Sequence, residues 1–315
     1  MSEILIIGGK GYAGSRLSNE LNHKKTIVDL GWFPSSNLPV EFVVADFAEL
    51  DQYYIQSFSH VVLLAGHSSV RMCDDHHSSV FKNNVMNFVK LIDKMDENQT
   101  LIYASSGSVY GNRSGLAVET DSLDTPYNMY DATKQMIDTY TTTATYKPTV
   151  IGLRFGTVNG YAPNLRNDVM LNAMTYNAWE NKKVLLFNPD TKRSILGTKD
   201  LSRAIGSIID SGIKTNGVYN LASFTKTSGE MANITAQLTN TIVETVNPDE
   251  YNKKTLNEKL VSSKYNFSLD CSKFEKDFSF KFEETPESIV SGLINNRDSM
   301  VLSNRNQSKL YGVFK

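Results

Sequence analysis

The stretch EILIIGGKGYAG at residues 3–14 constrains the fold more than any other part of the chain. Ile4–Ile7 is continuously apolar and is stopped by Gly8 and Gly9. Glycine then recurs every third residue at Gly8, Gly11 and Gly14. A short unbroken apolar run predicts a strand buried on both faces, and the glycines predict a tight turn into a helix. GSRLSNELN, which follows, has helical spacing. A helix that starts behind glycines presents free N–H groups and the positive end of its dipole, which together suit a diphosphate.

The same grammar repeats downstream. TIVDL, EFVVAD, HVVLLAG, LIYASS and PTVIGLRFG read as further buried strands. Between them, residues 81–95 carry Val85, Phe88, Val89 and Ile92 at helical intervals, and residues 127–146 read as another helix. Apolar strands alternating with helices predict an α/β fold, a doubly wound parallel sheet whose ligands gather at the C-terminal ends of the strands. After about residue 158 the alternation decays. Residues 1–158 are therefore read as a dinucleotide-binding domain, with late strands from about 190–222 returning to it. Residues 159–315 are read as a smaller mixed substrate lobe, and the last fifteen or so as peripheral.

A formal net charge of -2 in 315 residues leaves no basic footprint for nucleic acid or an anionic membrane. No apolar run approaches membrane-spanning length, and no signal segment is read at the start. Two cysteines, Cys73 and Cys271, make neither a disulfide framework nor a zinc motif, so a reducing, cytoplasmic setting is expected.

Asp29 ends the second strand, 15 residues after Gly14. A carboxylate there accepts from both ribose hydroxyls of an adenosine and repels a 2′-phosphate, so NAD is expected rather than NADP. Asp46, closing the third strand, is placed to accept from an adenine amino group. Lys10, inside the glycine turn, is expected to point to water.

NMYDATKQM places Tyr130 one helical turn before Lys134. The same spacing occurs at Tyr311 and Lys315, so the pair gains meaning only from its context. That context is a strand ending YASSGSVYG, which brings Ser106 to the same sheet edge. An ammonium beside a phenol favours the phenolate. Tyr130 is then a general base, Ser106 a partner for the developing oxyanion, and Lys134 a ligand for the cofactor ribose, with an alcohol oxidised to a ketone.

Nine pieces in order carry a resemblance: GGKGYAG, VVADF, LLAG, NNVMNFVKLI, YASSGSVYG, YDATK, LRFGTVNGYAP, KRSILGTKDLSRAI and GVYNLAS. Together they resemble the extended short-chain dehydrogenase/reductase family, in particular its NAD-dependent sugar-nucleotide epimerases and dehydratases, which have a Rossmann-type sheet. The resemblance implies Ser106, Tyr130 and Lys134 as the catalytic trio. It implies a cofactor surface of Gly8, Gly11, Tyr12, Ala13, Gly14, Asp29, Asp46, Phe47, Leu64, Ala65, Gly66, Asn84, Phe155 and Thr157, besides Tyr130 and Lys134. Asn84 steadies the structure near the cofactor. Asn172 and Arg193 meet the diphosphate of a nucleoside-diphosphate sugar, with Thr157 and Ser106 also on the substrate side. A homodimer through helices 81–95 and 127–146 is implied as well.

The departures narrow the chemistry. Gly107 and Ser108 stand where 4,6-dehydratases carry an Asp-Glu pair, and the glutamate of the decarboxylases is missing. So is the cysteine that 3,5-epimerases and fucose-type synthases place at Ser108. Thr157 replaces an asparagine. What remains is redox at a sugar carbon, C4 foremost, as a 4-epimerase. A 4-dehydrogenase or 4-ketoreductase using the same site stays open, as does a non-catalytic dinucleotide sensor. His67, Cys73, His76 and His77 are read as a substrate-side loop, not a metal site.

Overall fold

The computed structural model describes residues 3–31, 41–75, 77–247 and 266–299. The first five strands are β1 (Ile4–Ile7), β2 (Lys25–Asp29), β3 (Glu41–Val44), β4 (His60–Leu63) and β5 (Thr100–Ser106). A two-residue strand, β6 (Leu116–Ala117), precedes β7 (Thr149–Phe155) and β8 (Thr157–Asn159). Then come β9 (Lys183–Leu186), β10 (Lys192–Gly197), β11 (Gly217–Leu221), β12 (Phe224–Thr227), β13 (Ile242–Thr245) and β14 (Ser268–Leu269). Seven strands form one sheet in the order β11-β7-β5-β4-β1-β2-β3, with every pair parallel.

The order reverses between β1 and β4, where Ile7 lies opposite Leu63. Connections leaving those two strands go to opposite faces, which opens a crevice at their C-terminal ends. Alternate side chains serve opposite faces of the sheet. Ile4, Ile6, Ile27, Val62, Ile102 and Ile151 face one core, packed under α1 (Tyr12–Glu20) and the helix Thr198–Ser211. Leu5, Ile7, Val28, Val61, Leu63 and Leu101 face the other, with Phe88, Leu91, Ile92 and Ile137. Both faces being covered is why these strands read as unbroken apolar runs. Each fully buried aliphatic side chain contributes roughly 1.5–3 kcal/mol.

The second half departs from the sequence reading in one respect. Gly217–Leu221 does join the large sheet beside β7, but Lys192–Gly197 does not return to it. β10 instead pairs with β8 and β12 in a separate three-stranded sheet. Leu165, Leu171, Met174, Val184, Met231, Ile289 and Leu293 form a further core among the helices of this lobe. Apolar periodicity says that 192–197 is buried, not which neighbour it pairs with.

The helix expected over 81–95 is also modified. His77–Phe81 is α-helical, Lys82–Met86 forms a π-helical turn, and Asn87–Lys94 resumes the α-helix. The wide turn brings polar Asn84 inward while Phe88 and Ile92 keep their buried positions. The reading of the last residues, 300–315, falls outside the described residues, as does His76.

Candidate active site

Gly8 has φ +86°, and a Cβ there would stand 2.5 Å from the Ala65 amide nitrogen. A Cβ on Gly14 would collide with the Gly8 carbonyl. Gly8 thus lets the turn after β1 close against the turn after β4, and Gly14 lets α1 pack against the turn after β1. Gly11 differs: its Cβ would meet only Gly8 O, at 3.3 Å, with open space otherwise. Gly11 is also the N-cap of α1, and no side chain caps it. The first-turn N–H groups of Tyr12, Ala13 and Gly14 thus begin at a bare, unobstructed helix end, where a diphosphate fits.

Asp29 organises the rim of this cradle. Its Oδ2 accepts from the Lys10 amide at 2.9 Å and its Oδ1 from the Gly31 amide at 3.0 Å. Each oxygen keeps a second lone pair for a ribose hydroxyl. Lys10 corrects the expectation that it points to water. It is only 6% exposed, and its Nζ lies 3.8 Å from the centroid of the Phe42 ring, a cation–π seat. Asp46 caps a 3-10 turn at Phe47–Glu49 by accepting from Ala48 N at 2.9 Å, and Phe47 is buried beneath it.

Leu64, Ala65 and Gly66 follow β4 at the crevice. Asn84 fastens this loop. Its Oδ1 accepts from His67 N at 2.9 Å, and its Nδ2 donates to His67 O at 3.1 Å and to Thr133 Oγ1 at 3.3 Å. One buried amide therefore ties the β4 turn to the helix that carries Tyr130. A π-helical turn at such a place is a common device for aiming a side chain.

That helix runs Met129–Thr143 and is capped by the Asn128 side chain, which accepts from Asp131 N. It sets Tyr130 and Lys134 on one face. Lys134 Nζ donates to Ala104 O at 2.6 Å, on β5 two residues before Ser106. Burial pulls the lysine down from the usual 10.5 to about 8, against the pull of Asp138 in the other direction. The Tyr130 phenol is pushed up to about 12, chiefly by burial, with the nearby Ser106 hydroxyl acting in the opposite direction. In this state the lysine does not depress the phenol, contrary to the sequence expectation, because desolvation outweighs an ammonium held against Ala104.

Ser106 ends β5 and caps the 3-10 turn Gly107–Tyr110. Its Oγ accepts from Ser108 N at 3.2 Å and lies 2.8 Å from Ser108 Oγ. Ser108 Oγ in turn donates to Asp131 Oδ1 at 2.5 Å. A Cβ on Gly107 would press on the Leu269 side chain at 2.9 Å and on the Phe155 carbonyl at 3.2 Å, so a side chain there would require Leu269 to shift.

Behind the site lies a buried ion pair. Arg154 Nε donates to Asp138 Oδ2 at 2.8 Å, and the Tyr103 hydroxyl donates to Asp138 Oδ1 at 3.0 Å. Phe155 and Thr157 sit at the end of β7 and the start of β8, over Ser106 and Ile195 respectively in register.

The two residues expected on the diphosphate of a substrate behave differently from each other. Asn172 is fully buried, and its amide is spent on the protein. Oδ1 accepts from Gly160 N at 2.9 Å, while Nδ2 donates to Arg166 O at 2.5 Å and to the Tyr12 hydroxyl at 3.0 Å. The expectation that it meets a diphosphate is corrected: it holds the Gly160 loop and, through Tyr12, the start of α1. Tyr12 donates to Gly160 O at 2.6 Å, and burial raises its phenol far above the usual range. Arg193 lies on β10, two residues before the residue paired with Thr157. Its guanidinium sits 5.1 Å from the Phe267 centroid, and burial lowers it to about 10.

Sequence reasoning missed Asp131 and Arg166. Arg166 grips Asp168 with two nitrogens, at 2.9 and 2.8 Å, and its charge reaches the Tyr130 phenol. Cys73, likewise within electrostatic reach of Tyr130 and Lys134, is buried, which raises its thiol to about 12. Among the described residues, no group of three or more His, Cys, Asp or Glu is arranged to hold a metal ion, and no helix is long and apolar enough to cross a membrane.

The sequence matches the NAD dependent epimerase/dehydratase family over residues 4–222. It is 29% identical over 173 residues to UDP-glucuronate 4-epimerase 1 of Arabidopsis thaliana, which is 52% of this chain and 40% of that protein. The chain thus aligns with less than half the length of that relative. Among solved structures, MoeE5 in complex with UDP-glucuronic acid and NAD superposes with a TM-score of 0.78 at 20% identity, covering 94% of this chain and 99% of that one. UDP-glucuronic acid 4-epimerase from Bacillus cereus, in complex with UDP-glucuronic acid and NAD, gives 0.75 at 20% identity, covering 92% and 97%. At these identities the two structures speak for the fold.

Proposed function

Because the chain belongs to the NAD-dependent epimerase/dehydratase family, we propose that it oxidises and re-reduces C4 of a nucleoside-diphosphate sugar, acting as a 4-epimerase. The observation that carries this reading is one arrangement. Ser106, Tyr130 and Lys134 gather at the C-terminal edge of β5, beside a crevice whose glycine cradle and Asp29 rim fit NAD. The resemblance to a protein named UDP-glucuronate 4-epimerase supports the choice of C4 and of a uridine nucleotide.

Gly11 and the first turn of α1 hold the diphosphate of the cofactor, and Asp29 holds its adenosine ribose. Lys134, fixed by Ala104, is within reach of the second ribose. NAD there supplies a hydride acceptor that can return the hydride. Tyr130 takes the proton from the sugar hydroxyl, and Ser106 holds that oxygen as charge develops on it. Arg193, desolvated beside Phe267 and next to the strand bearing Thr157, serves the sugar-nucleotide phosphates, for which a forked donor is suited. Asn172 shapes this region from behind and is not assigned a contact.

A dehydrogenase or ketoreductase would use the same residues, and nothing in the site geometry separates them. A non-catalytic sensor is disfavoured, since Tyr130, Lys134 and Ser106 are all present and mutually placed. Exposed Met86, Tyr127 and Met136 lie along the helices read as a dimer face, and a homodimer through them is part of the proposal. Free Cys73 and Cys271 accord with a reducing cytoplasm.

The test is to incubate the purified protein and NAD with UDP-, GDP- and CDP-sugars, UDP-glucuronate among them. Conversion to the C4 epimer without accumulation of NADH supports the reading. Stoichiometric NADH with a ketone product would replace it with the dehydrogenase, and no turnover of any sugar nucleotide would overturn it.

A further inference from the structure

One segment of the smaller lobe is tied to both walls of the cofactor crevice. The Asn164 side-chain amide donates to the Lys10 carbonyl in the turn after β1, and the Asn164 backbone N–H donates to Ser15 Oγ in α1 at 3.2 Å. Two residues on, Arg166 Nη1 donates to the Ser68 carbonyl at 3.4 Å, in the loop after β4. β1 and β4 are the neighbours at which the sheet order reverses, and the crevice opens between their C-terminal ends. Adjacent strands lie about 4.8 Å apart, and two residues of extended chain reach about 7 Å, so residues 164–166 suffice to cross it. We propose that residues 160–168 are a clasp over the cofactor crevice, whose opening sets the rate at which the dinucleotide enters and leaves.

The clasp is rooted in the smaller lobe. Leu165 is fully buried in the same core as Leu171 and Met174. Thr198 Oγ1 donates to Tyr161 O at 2.9 Å, and Asn172 Nδ2 donates to Arg166 O. Asp168 grips the Arg166 guanidinium through Nε and Nη2, while Nη1 goes to Ser68. Tyr12 joins the two lobes at the helix end itself. Its ring packs against the same core as Leu165, its hydroxyl donates to Gly160 O, and its backbone opens α1 where the diphosphate fits.

The two kinds of attachment differ in strength. Apolar burial holds the clasp to its own lobe, whereas single hydrogen bonds hold it to Lys10, Ser15 and Ser68. Such bonds contribute little net against water, so the clasp parts at the crevice and stays rooted at Leu165. A dinucleotide that runs from Gly11 to Lys134 crosses the gap that the clasp bridges. It enters or leaves when the clasp has let go of one wall. The pins join protein to protein, so weakening them changes how often the crevice opens and not how well the closed site binds. A gate of this kind keeps one cofactor in place while a hydride is taken up and given back. The clasp rests on the reading of this crevice as the NAD site.

The probe is NADH, followed by its fluorescence in stopped flow. Chasing with excess NAD reads the release rate, and mixing at rising NADH concentration reads the association rate. Asn164→Ala removes the bond to Lys10 and should raise both rates together by about 3–10-fold, with Kd held within about twofold. Ser15→Ala removes the acceptor of the Asn164 N–H and should do the same, and it carries the test should Asn164→Ala fail to fold. Unchanged rates in these variants would overturn the clasp. So would faster release at an unchanged association rate, the mark of a lost contact to the dinucleotide and not of a gate.

Hydrogen exchange reads the clasp without cofactor. The backbone amides of residues 160–168 should exchange about 3–10-fold faster in Asn164→Ala than in wild type, at an unchanged melting temperature. Equal exchange would overturn the proposal. Wild-type protein that binds no NADH at all would overturn the cofactor reading and the gate with it. NADH binding at rates that the variants leave alone would overturn the clasp and spare that reading.

Discussion

Lys134 Nζ stands 5.8 Å from the centroid of the Tyr130 ring and gives its hydrogen bond to the Ala104 carbonyl at 2.6 Å. The two residues share a helix face, but the ammonium is committed to β5 and not to the phenol. The lysine is therefore a fixed post between sheet and helix. In this state burial, not the lysine, governs the tyrosine.

Tyr130→Phe removes the base and leaves the cradle at Gly11 and Asp29 untouched. Turnover of the sugar nucleotide should fall by about 10²–10⁴ or more, while calorimetry shows nucleotide and NAD binding within a few-fold of wild type. Activity unchanged in this variant would remove Tyr130 from the role.

Lys134 is charged at a cost, since its folded pKa of about 8 lies below the usual 10.5. That cost is full below pH 8 and vanishes above 10.5, where the lysine is neutral in both folded and unfolded chains. It amounts to roughly 3 kcal/mol on an order-of-magnitude basis. Lys134→Met escapes it. The stability of this variant relative to wild type should therefore decline between pH 8 and 10.5, read from urea melts at several pH values. A pH-independent difference would show that the ammonium is not desolvated.

Gly11→Ala separates binding from folding. The added methyl meets only the Gly8 carbonyl, at 3.3 Å, so the melting temperature should shift by no more than a few degrees. The methyl does occupy the approach to the helix end, and NAD affinity should drop tenfold or more. Gly14→Ala drives its methyl into the Gly8 carbonyl and should lose folding and binding together.

Arg154→Met strands the Asp138 carboxylate, which is 1% exposed. A buried charge without its cation costs about 3–5 kcal/mol, so the chemical denaturation midpoint should fall sharply.

Arg193→Met should weaken UDP binding by about tenfold or more while sparing NAD, as measured by calorimetry with each ligand alone. Equal loss for both would mean that the arginine supports the lobe and not a phosphate.

The chain itself determined the large sheet, because unbroken apolar runs such as Ile4–Ile7 and the glycine spacing after them depend on local physics: burial on two faces and the room a turn requires. Asp29 and the Tyr130–Lys134 face were legible for the same reason, being set by strand ends and helical period. Tertiary structure decided the rest. It took Lys192–Gly197 into a separate sheet, turned Lys10 onto Phe42, spent the Asn172 amide on Gly160 and Arg166, and widened one helical turn to bring in Asn84. Asp131 is the sharpest case. It lies inside the motif that marks the site, yet its carboxylate meets the hydroxyl of Ser108, 23 residues away, a contact that only the fold brings about. Periodicity fixes which face a residue occupies. Only packing across the fold fixes what meets that face, and therefore which polar groups must satisfy one another.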